Sequence, residues 1–202
     1  MNDDVRLAGR DDASSIAAVL ASAFLADPVM VWALPSANRR RRELQRLYTA
    51  IARYEAIPRG ATLLAQDGSG RVVGVAVWRR RGRWGSPSWR DVPFALSAGR
   101  ALGRDMGRMA ALGRAASRAR PRVAHWYLQL LGVAADSQHA GFGSALMRRQ
   151  LTRCDADAMP AYLETTQENL GFYARFGFRV TGEILIARRA PMQYSLWRDP
   201  VL

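Results

Sequence analysis

The stretch that decides the fold is LGVAADSQHAGFGSALM, Leu131 to Met147. It closes an apolar run, Val123 to Val133, that reads as a β-strand, and it opens a helix expected from about Gly141 to Cys154. Between them lies the turn Gln138-His139-Ala140-Gly141-Phe142-Gly143. Glycine lets a backbone approach a ligand closely and take conformations that a side chain forbids. Free amides at a helix start, with the helix dipole behind them, form an anion site. Strand, glycine turn and helix in this order make a place to hold a pyrophosphate. The dinucleotide fingerprint is absent, because Leu146 stands where its third glycine would fall. Taken alone, a G-x-G turn is a weak signal and serves also as a tight structural connection.

Working outward, the chain mixes strands and helices. Val5 to Leu7 reads as a short opening strand, and Asp11 to Ala26 as a helix with Ile16, Val19, Leu20 and Ala23 on one face. Asp27-Pro28 breaks it, since a residue before proline avoids the helical region. Arg39 to Ile57 is a second helix, ended by Pro58. Ala61 to Ala65 and Arg71 to Trp78 form a hairpin around Asp67-Gly68-Ser69-Gly70. Arg79 to Arg122 is the least regular region. It opens with RRRGRW and holds helical segments within Pro93 to Ala119. There Leu102, Met106, Met109, Leu112 and Ala116 make an apolar stripe, beside Arg100, Arg104 and Arg108. An amphipathic helix that packs the stripe inward and leaves its arginines in water is favoured over a membrane-surface or nucleic-acid helix. Exposed, the stripe would offer a surface for a homodimer. Downstream, Ala161 to Glu164 is a short strand, and Thr165-x-x-Glu168 matches a capping box for a helix that ends at Gly177. Phe178 to Ile186 and Met192 to Trp197 finish as strands. The pattern is α/β, one mixed sheet in a single domain over 1–202, with a helix-rich, arginine-rich insert at about 79–122.

The chain has 202 residues, 23% charged and 49% hydrophobic, which suits one ordinary globular domain rather than a disordered or fibrous chain. Cys154 is alone and cannot form an internal bridge. The best uncharged apolar stretch, Val123 to Ala135, is too short for a membrane span, and MNDDVR is no signal peptide, so a cytoplasmic protein without a membrane partner is expected. The net charge is +13, and all thirty basic residues are arginine. With no lysine there is no phosphate-loop, Schiff-base or kinase lysine. With only His125, His139 and Cys154 as soft ligands, no metal site is expected. The charge reads as a solvated face that attracts anionic small molecules rather than as a nucleic-acid site.

Gln138-x-x-Gly141-x-Gly143, in its strand-loop-helix setting, resembles the Q/R-x-x-G-x-G/A motif of the GNAT acyltransferases. Tyr162 to Phe178, YLETTQENLGFYARFGF, resembles that family's second signature: strand, loop, Asn169, then Tyr173 and Gly-Phe. The likeness is at motif level over the C-terminal half and in order of elements over the N-terminal half. Within the family, Arg10-Asp11-Asp12, AFLADPV (Ala23 to Val29), the insert and FYARFGF (Phe172 to Phe178) are similar to the puromycin N-acetyltransferase type.

The resemblance implies the three-layer GNAT fold, with a mixed, mostly antiparallel sheet splayed beside the cofactor. It implies acetyl-coenzyme A as acetyl donor and a primary amine on a small molecule as acceptor. Leu131, Gly132 and Val133 would pair with the pantetheine arm, and Gln138, His139, Ala140, Gly141, Phe142, Gly143 and Ser144 would wrap the pyrophosphate. Asn169 and Tyr173, four residues apart, share a helix face and would meet the same ligand. Tyr173 would protonate the leaving thiolate. Many relatives carry a carboxylate on the strand before the loop, but here that strand reads HWYLQLL. Glu164, on the next strand, is the best carboxylate for the base, against a reading as a strand-end residue bonded to backbone. Asp27 is a candidate for the acceptor's ammonium, with the alternative that it only terminates a helix. Phe24, Trp32, the first two helices and the insert would shape the acceptor site. A protein acetyltransferase is the same-class alternative; a non-catalytic coenzyme-binding or nucleic-acid-binding module is the other.

Overall fold

In the computed structural model, which describes residues 5–59, 61–80 and 92–201, strand alternation sorts the central hairpin between two cores. The hairpin is β2 (Ala61–Gln66) and β3 (Val72–Arg80). Leu64, Val75 and Val77 point to one side, where they meet Ile16 and Leu20 of α1 (Ala13–Ala23) and Leu44 and Tyr48 of α3 (Ala37–Ile51). Leu63, Ala65, Ala76 and Trp78 point to the other, against Leu146, Met147 and Leu151 of α7 (Phe142–Ala156). Period-two side chains thus give the sheet two buried faces.

The sheet has seven strands in the order β1-β2-β3-β4-β5-β7-β6, where β1 is Val5–Leu7, β4 Trp126–Val133, β5 Ala161–Thr166, β6 Arg179–Ile184 and β7 Gln193–Arg198. Every neighbouring pair is antiparallel except β4 and β5, which are parallel and joined through α7 as such pairs require. The expected three-layer, mostly antiparallel architecture is present.

The strand β4 holds β3 along its whole length but pairs with β5 only over Trp126–Leu128. The register shifts there: Val77 faces Leu130 and Trp78 faces Leu128, so Gln129 is left over as a bulge. A bulge bends its strand, and beyond it β4 follows β3 away from β5. Gly132 lies where this departing segment crosses α1. A Cβ on it would come within 3.0 Å of Ala23 Cβ and 3.1 Å of Leu20 Cδ2, so a side chain here would push helix and strand apart by a few tenths of an ångström.

Several local expectations are corrected. Asp27 does more than end α1. Its backbone is extended and its carboxylate accepts from the Met30 amide at 2.9 Å, so it caps a new helix, α2 (Pro28–Ala33), with Pro28 in the first turn. The second helix begins at Ala37 and continues past Ile51 through a π-helical turn, Ala52–Ala56, and one further turn, α4 (Ile57–Arg59). In the insert, the stripe is not one face of one helix. Gly103, at φ +48°, turns the chain between α5 (Val92–Leu102) and α6 (Met106–Ala119), and Met106 is left exposed. Met109 and Leu112 still pack on the first core. Arg108 is not simply solvated: it donates to the Trp32 carbonyl at 2.7 Å and lies 5.8 Å from that ring's centre. The remainder of the RRRGRW run, from Arg81, and the first four residues of MNDDVR lie outside the described residues. The capping box is absent. Pairing of β5 with β7 runs on through Thr165 and Thr166, so Thr166 precedes a 3-10 turn at Gln167–Asn169 and α8 (Leu170–Ala174) without a side-chain cap. Gly177, at φ +82°, follows that helix as expected. No helix among the described residues is long and apolar enough to cross a membrane.

A fork of hydrogen bonds ties the last strand to α7. Arg198, nearly buried, donates to both oxygens of Asp155 at 2.7 and 2.9 Å, and Asp155 also accepts from the Val201 amide. The hydrogen bond from Arg198 holds the Asp155 carboxyl below the usual range. A carboxyl whose folded pKa is depressed adds stability above its unfolded pKa and loses it as pH falls through the folded value. Asp155→Asn is therefore expected to cost about 2 kcal/mol at pH 7, since it leaves a largely buried guanidinium without its anion. Thermal unfolding should show a Tm lower by about 6 °C, and the gap should close in acid, once the wild-type carboxyl is protonated.

Candidate active site

Where β4 leaves β5, the sheet opens a cleft of about 470 Å3. Leu131 and Val133 form one wall, and Asn169, Phe172, Tyr173 and Arg175 form the other. The floor is the turn into α7: Gln138, His139, Gly141, Phe142, Gly143 and Ser144. The turn is built by two left-handed residues, His139 at φ +65° and Gly141 at φ +89°. Gly141 is the N-cap of α7, and its carbonyl takes the Ala145 amide at 3.0 Å. The helix's earlier amides are at its open end, where intrahelical partners do not exist. The Gln138 side chain reaches back to the Val133 carbonyl at 3.3 Å and braces the loop against the strand end.

On the other wall, Asn169 sits at the N-cap of α8 without capping it; its amide makes only a long contact, 3.4 Å, to Thr166 Oγ1. Tyr173 is packed edge-on against Phe172, with ring centres 5.1 Å apart, and against Phe178. Burial raises its phenol pKa above the ordinary value, so it stays protonated at neutral pH.

A second, smaller cavity of about 190 Å3 adjoins the cleft. Leu131, Asn169 and Tyr173 line both. Its other walls include Phe24, Asp27 and Met30 at the α1–α2 corner, Leu112 and Ala116 of α6, Tyr127 and Gln129 of β4, Glu164 of β5 and Gln193 of β7. Glu164 Oε2 accepts from the Tyr127 hydroxyl at 2.7 Å, and Oε1 lies 3.7 Å from an Arg120 nitrogen. The Arg120 guanidinium is stacked 4.0 Å from the centre of the Tyr127 ring. Burial pushes the Glu164 pKa up, and Arg120 works against that rise. Asp27 is also pushed up by burial, opposed by the amides of Met30 and Val29.

Most of the residues read from the sequence converge on these two spaces. Leu131, Val133, Gln138, His139, Gly141, Phe142, Gly143, Ser144, Asn169 and Tyr173 line the cleft, and Phe24, Asp27 and Glu164 line the cavity. Three do not. Gly132 faces α1, Ala140 is exposed in the turn without lining the cleft, and Trp32 lies under Arg108, away from the cavity. The helix α3 does not line the cavity either. Glu164 is not a strand-end residue bonded to backbone; its partners are side chains. Sequence reasoning missed Ser137, Phe172 and Arg175 in the cleft, and Tyr127 and Arg120 around Glu164. Tyr127 was within reach of strand alternation, since it is paired with Tyr162, two residues before Glu164. Arg120 left no such signal. Of the remaining candidates, His125 is buried, with Nδ1 2.8 Å from the Val123 carbonyl and its ring edge-on to Tyr162, away from both spaces. Cys154 is a packed thiol whose pKa burial pushes up to about 12.

Residues 98–180, from α5 through the cleft to the start of β6, match the model of the acetyltransferase (GNAT) domain. Over this stretch the chain carries the GNAT acetyltransferase domain that the match describes. This acetyltransferase is 27% identical, over 94% of its length and 80% of the relative's, to an uncharacterized N-acetyltransferase of Schizosaccharomyces pombe. Among solved structures it is similar to one described as histone acetyltransferase HPA2 and related acetyltransferase, from Corynebacterium glutamicum: 26% identity, TM-score 0.74, 98% of this chain and 96% of that one. A polyamine N-acetyltransferase from Drosophila melanogaster shares the fold at 14% identity, with TM-score 0.63 over 96% and 98% of the two chains.

Proposed function

We propose that this acetyltransferase moves an acetyl group from acetyl-coenzyme A to the primary amine of a small molecule seated beside Glu164. The observation that carries the reading is the junction. Leu131, Asn169 and Tyr173 border both the cleft, with its open helix N-terminus, and the cavity, with its two carboxyls. A donor held in one space and an acceptor held in the other meet at those three side chains.

The residues fit the coenzyme. The turn at Gln138–Ser144 and the first amides of α7 suit a pyrophosphate. The edge of β4 beyond Leu128, which β5 leaves unpaired, suits an extended amide-bearing arm, as an added strand would use it. Arg175, stacked on Phe172 at the cleft wall, brings positive charge to the same ligand. When bound, the coenzyme supplies a thioester carbonyl open to an amine and a thiolate as leaving group.

The remaining work falls to side chains. An alkyl ammonium has a pKa of about 10 and must lose a proton before attack. Glu164, buried at the cavity wall, takes it. Burial brings this carboxyl closer to neutrality, where a base works best. Asp27, across the same cavity, holds the incoming ammonium. Backbone amides near Leu131 steady the oxyanion. Tyr173 protonates the leaving sulfur. Its raised pKa makes it a weaker acid than a free phenol, but the same dry surroundings also raise the thiol it serves.

The size and lining of the cavity favour a compact cationic acceptor. The protein carries +13 overall, yet no arginine lines this space among the described residues, while two carboxyls do. An antibiotic-like nucleoside or amino acid derivative, of the puromycin type, would enter with its amino end. Acetylation of a protein chain is the second reading, favoured by the name of the Corynebacterium glutamicum relative.

Acetyl-coenzyme A at a hundredfold excess over its Kd should stabilise the fold by about 2.7 kcal/mol, read as an upward shift in Tm at moderate salt. No shift at millimolar ligand would remove the donor site. Tyr173→Phe should lower kcat roughly 10- to 100-fold and leave the Kd for acetyl-coenzyme A, measured by titration, unchanged. For Glu164→Gln the deficit should depend on pH. The variant must wait for free amine, whose fraction drops about tenfold for each pH unit below its pKa, whereas the wild type draws on the ammonium form while Glu164 is ionised. The wild-type to variant ratio of kcat/KM should therefore rise toward acid until Glu164 itself protonates; a ratio constant across pH 6 to 9 (about three decades of free amine) would mean Glu164 is not the base.

A further inference from the structure

We infer that Arg120 is the positioning residue for Glu164, so that the insert helix α6 supplies a functional wall of the acceptor site and not merely cover for the core. The inference rests on the reading of Glu164 as the base. Arg120 directly follows α6, where the backbone turns extended, and its side chain leaves the insert to reach across to β4 and β5. Its side chain is only 13% exposed, in a chain where arginines mostly lie in water. A guanidinium drawn out of water is costly unless it is paired. Here it has the Tyr127 ring face at 4.0 Å and the Glu164 carboxylate at 3.7 Å. Tyr127 in turn donates its hydroxyl to the other Glu164 oxygen. The three groups close a triangle: Arg120 holds the ring and the carboxylate, and the ring's hydroxyl holds the carboxylate. Oε2 is thereby given a fixed direction by a hydrogen bond, and Oε1 a cation 3.7 Å away.

The arrangement is more than a fastening for α6. That role already belongs to Arg108, which bonds Trp32 from the first turn of the helix, and to Met109 and Leu112 on the core. Among the described residues, the titratable and charged groups around Glu164 are Tyr127 on β4, Tyr162 on its own strand, Arg120 after α6, and Asp27 and Tyr173 across the cavity; the β7 residues here, Gln193 and Ser195, do not titrate. Burial, with the Glu164 charge second, pushes both Tyr127 and Tyr162 above the ordinary phenol range, so neither supplies charge near neutrality. Arg120 is the cation of the group. It offsets part of what burial does to the carboxylate and so favours the ionised form, the one able to accept a proton.

The test titrates Glu164 directly, without an acceptor. The side-chain carboxyl carbon of Glu164, isotopically labelled and assigned by its loss in Glu164→Gln, is followed by NMR from acid to neutral pH in the wild type, Arg120→Met and Arg120→Lys. Arg120→Met should raise the midpoint by about one pH unit or more, the effect of losing an opposite charge at this range. Arg120→Lys should bring it most of the way back. The acid limb of kcat/KM, with puromycin as the probe amine, should move in parallel. A midpoint unchanged in Arg120→Met, with only a lower Tm, would show that Arg120 merely fastens the helix and would overturn the inference. Should Arg120→Met not fold, Tyr127→Phe breaks the same triangle from the β4 side and should also raise the midpoint; no rise there overturns it equally. The underlying reading fails separately, through a pH-independent Glu164→Gln deficit, even where the midpoint moves.

Discussion

The separation of β4 from β5 beyond Leu128 is the constraint on which the rest depends. A parallel pair that simply continued would bury its backbone groups in a ladder and leave no cleft. Here the extra residue at Gln129 bends β4 toward β3, and Gly132 lets α1 press on the bent segment where a Cβ would crowd Ala23 and Leu20. One edge of β4 is then left with donors and acceptors that β5 does not satisfy. These groups face the cleft, where an extended ligand can take their hydrogen bonds as a further strand would. Two more features converge on the same gap: the open N-terminus of α7 and the junction residues Asn169 and Tyr173. Each is modest alone. The bent strand brings them to one place.

The two spaces on either side of that junction rest on opposite electrostatic logic. The cleft floor offers positive ends of dipoles from backbone amides, which cost little to keep hydrated and suit a polyanion. The cavity buries carboxyls, which cost much more. Asp27 has its cost reduced by two backbone amides of α2, Glu164 by a hydroxyl and a guanidinium. For both, burial remains the larger influence and leaves the pKa above the ordinary value. A carboxyl in that condition gains from the arrival of a cation, so the cavity suits positive charge even though the protein as a whole is strongly basic.

How much of this could be read from the sequence follows from what each part is made of. The cleft depends on backbone shape, and backbone shape leaves local marks: glycine where φ is positive, as at Gly141, and a fixed spacing between strand, turn and helix. Asn169 and Tyr173 were legible because both lie on one short helical segment. The failures at the same place are also local. Thr165 and Thr166 look like a helix start by pattern, but β7 pairs with them, and a ladder of backbone bonds outweighs one capping side chain. Gly132 shows what the strand pattern does not tell: the side of the residue where a Cβ would stand is taken up by the contact with α1.

The smaller cavity is built differently, from side chains that meet only in three dimensions. Phe24 and Asp27 come from a helix corner, Tyr127 and Glu164 from strands and Leu112 from the insert, with Arg120 behind Glu164, and the chain joins them only through long stretches. No spacing rule joins Arg120 to Glu164. Even the type of residue is uninformative in a chain with thirty arginines, where one arginine looks like any other until its exposure is known. Trp32 shows the converse: a large aromatic near a helix corner invites a ligand-binding role, yet its ring serves as the seat for Arg108. The asymmetry has a physical origin. A pyrophosphate is held by the peptide backbone, so its site is constrained to a few glycine-bearing turns and stays recognisable. An amine in a small dry cavity is held by a handful of charged and aromatic groups that can come from any element able to reach. The insert is one such element, and what it adds to the site becomes visible only when Arg120 is seen beside Tyr127 and Glu164.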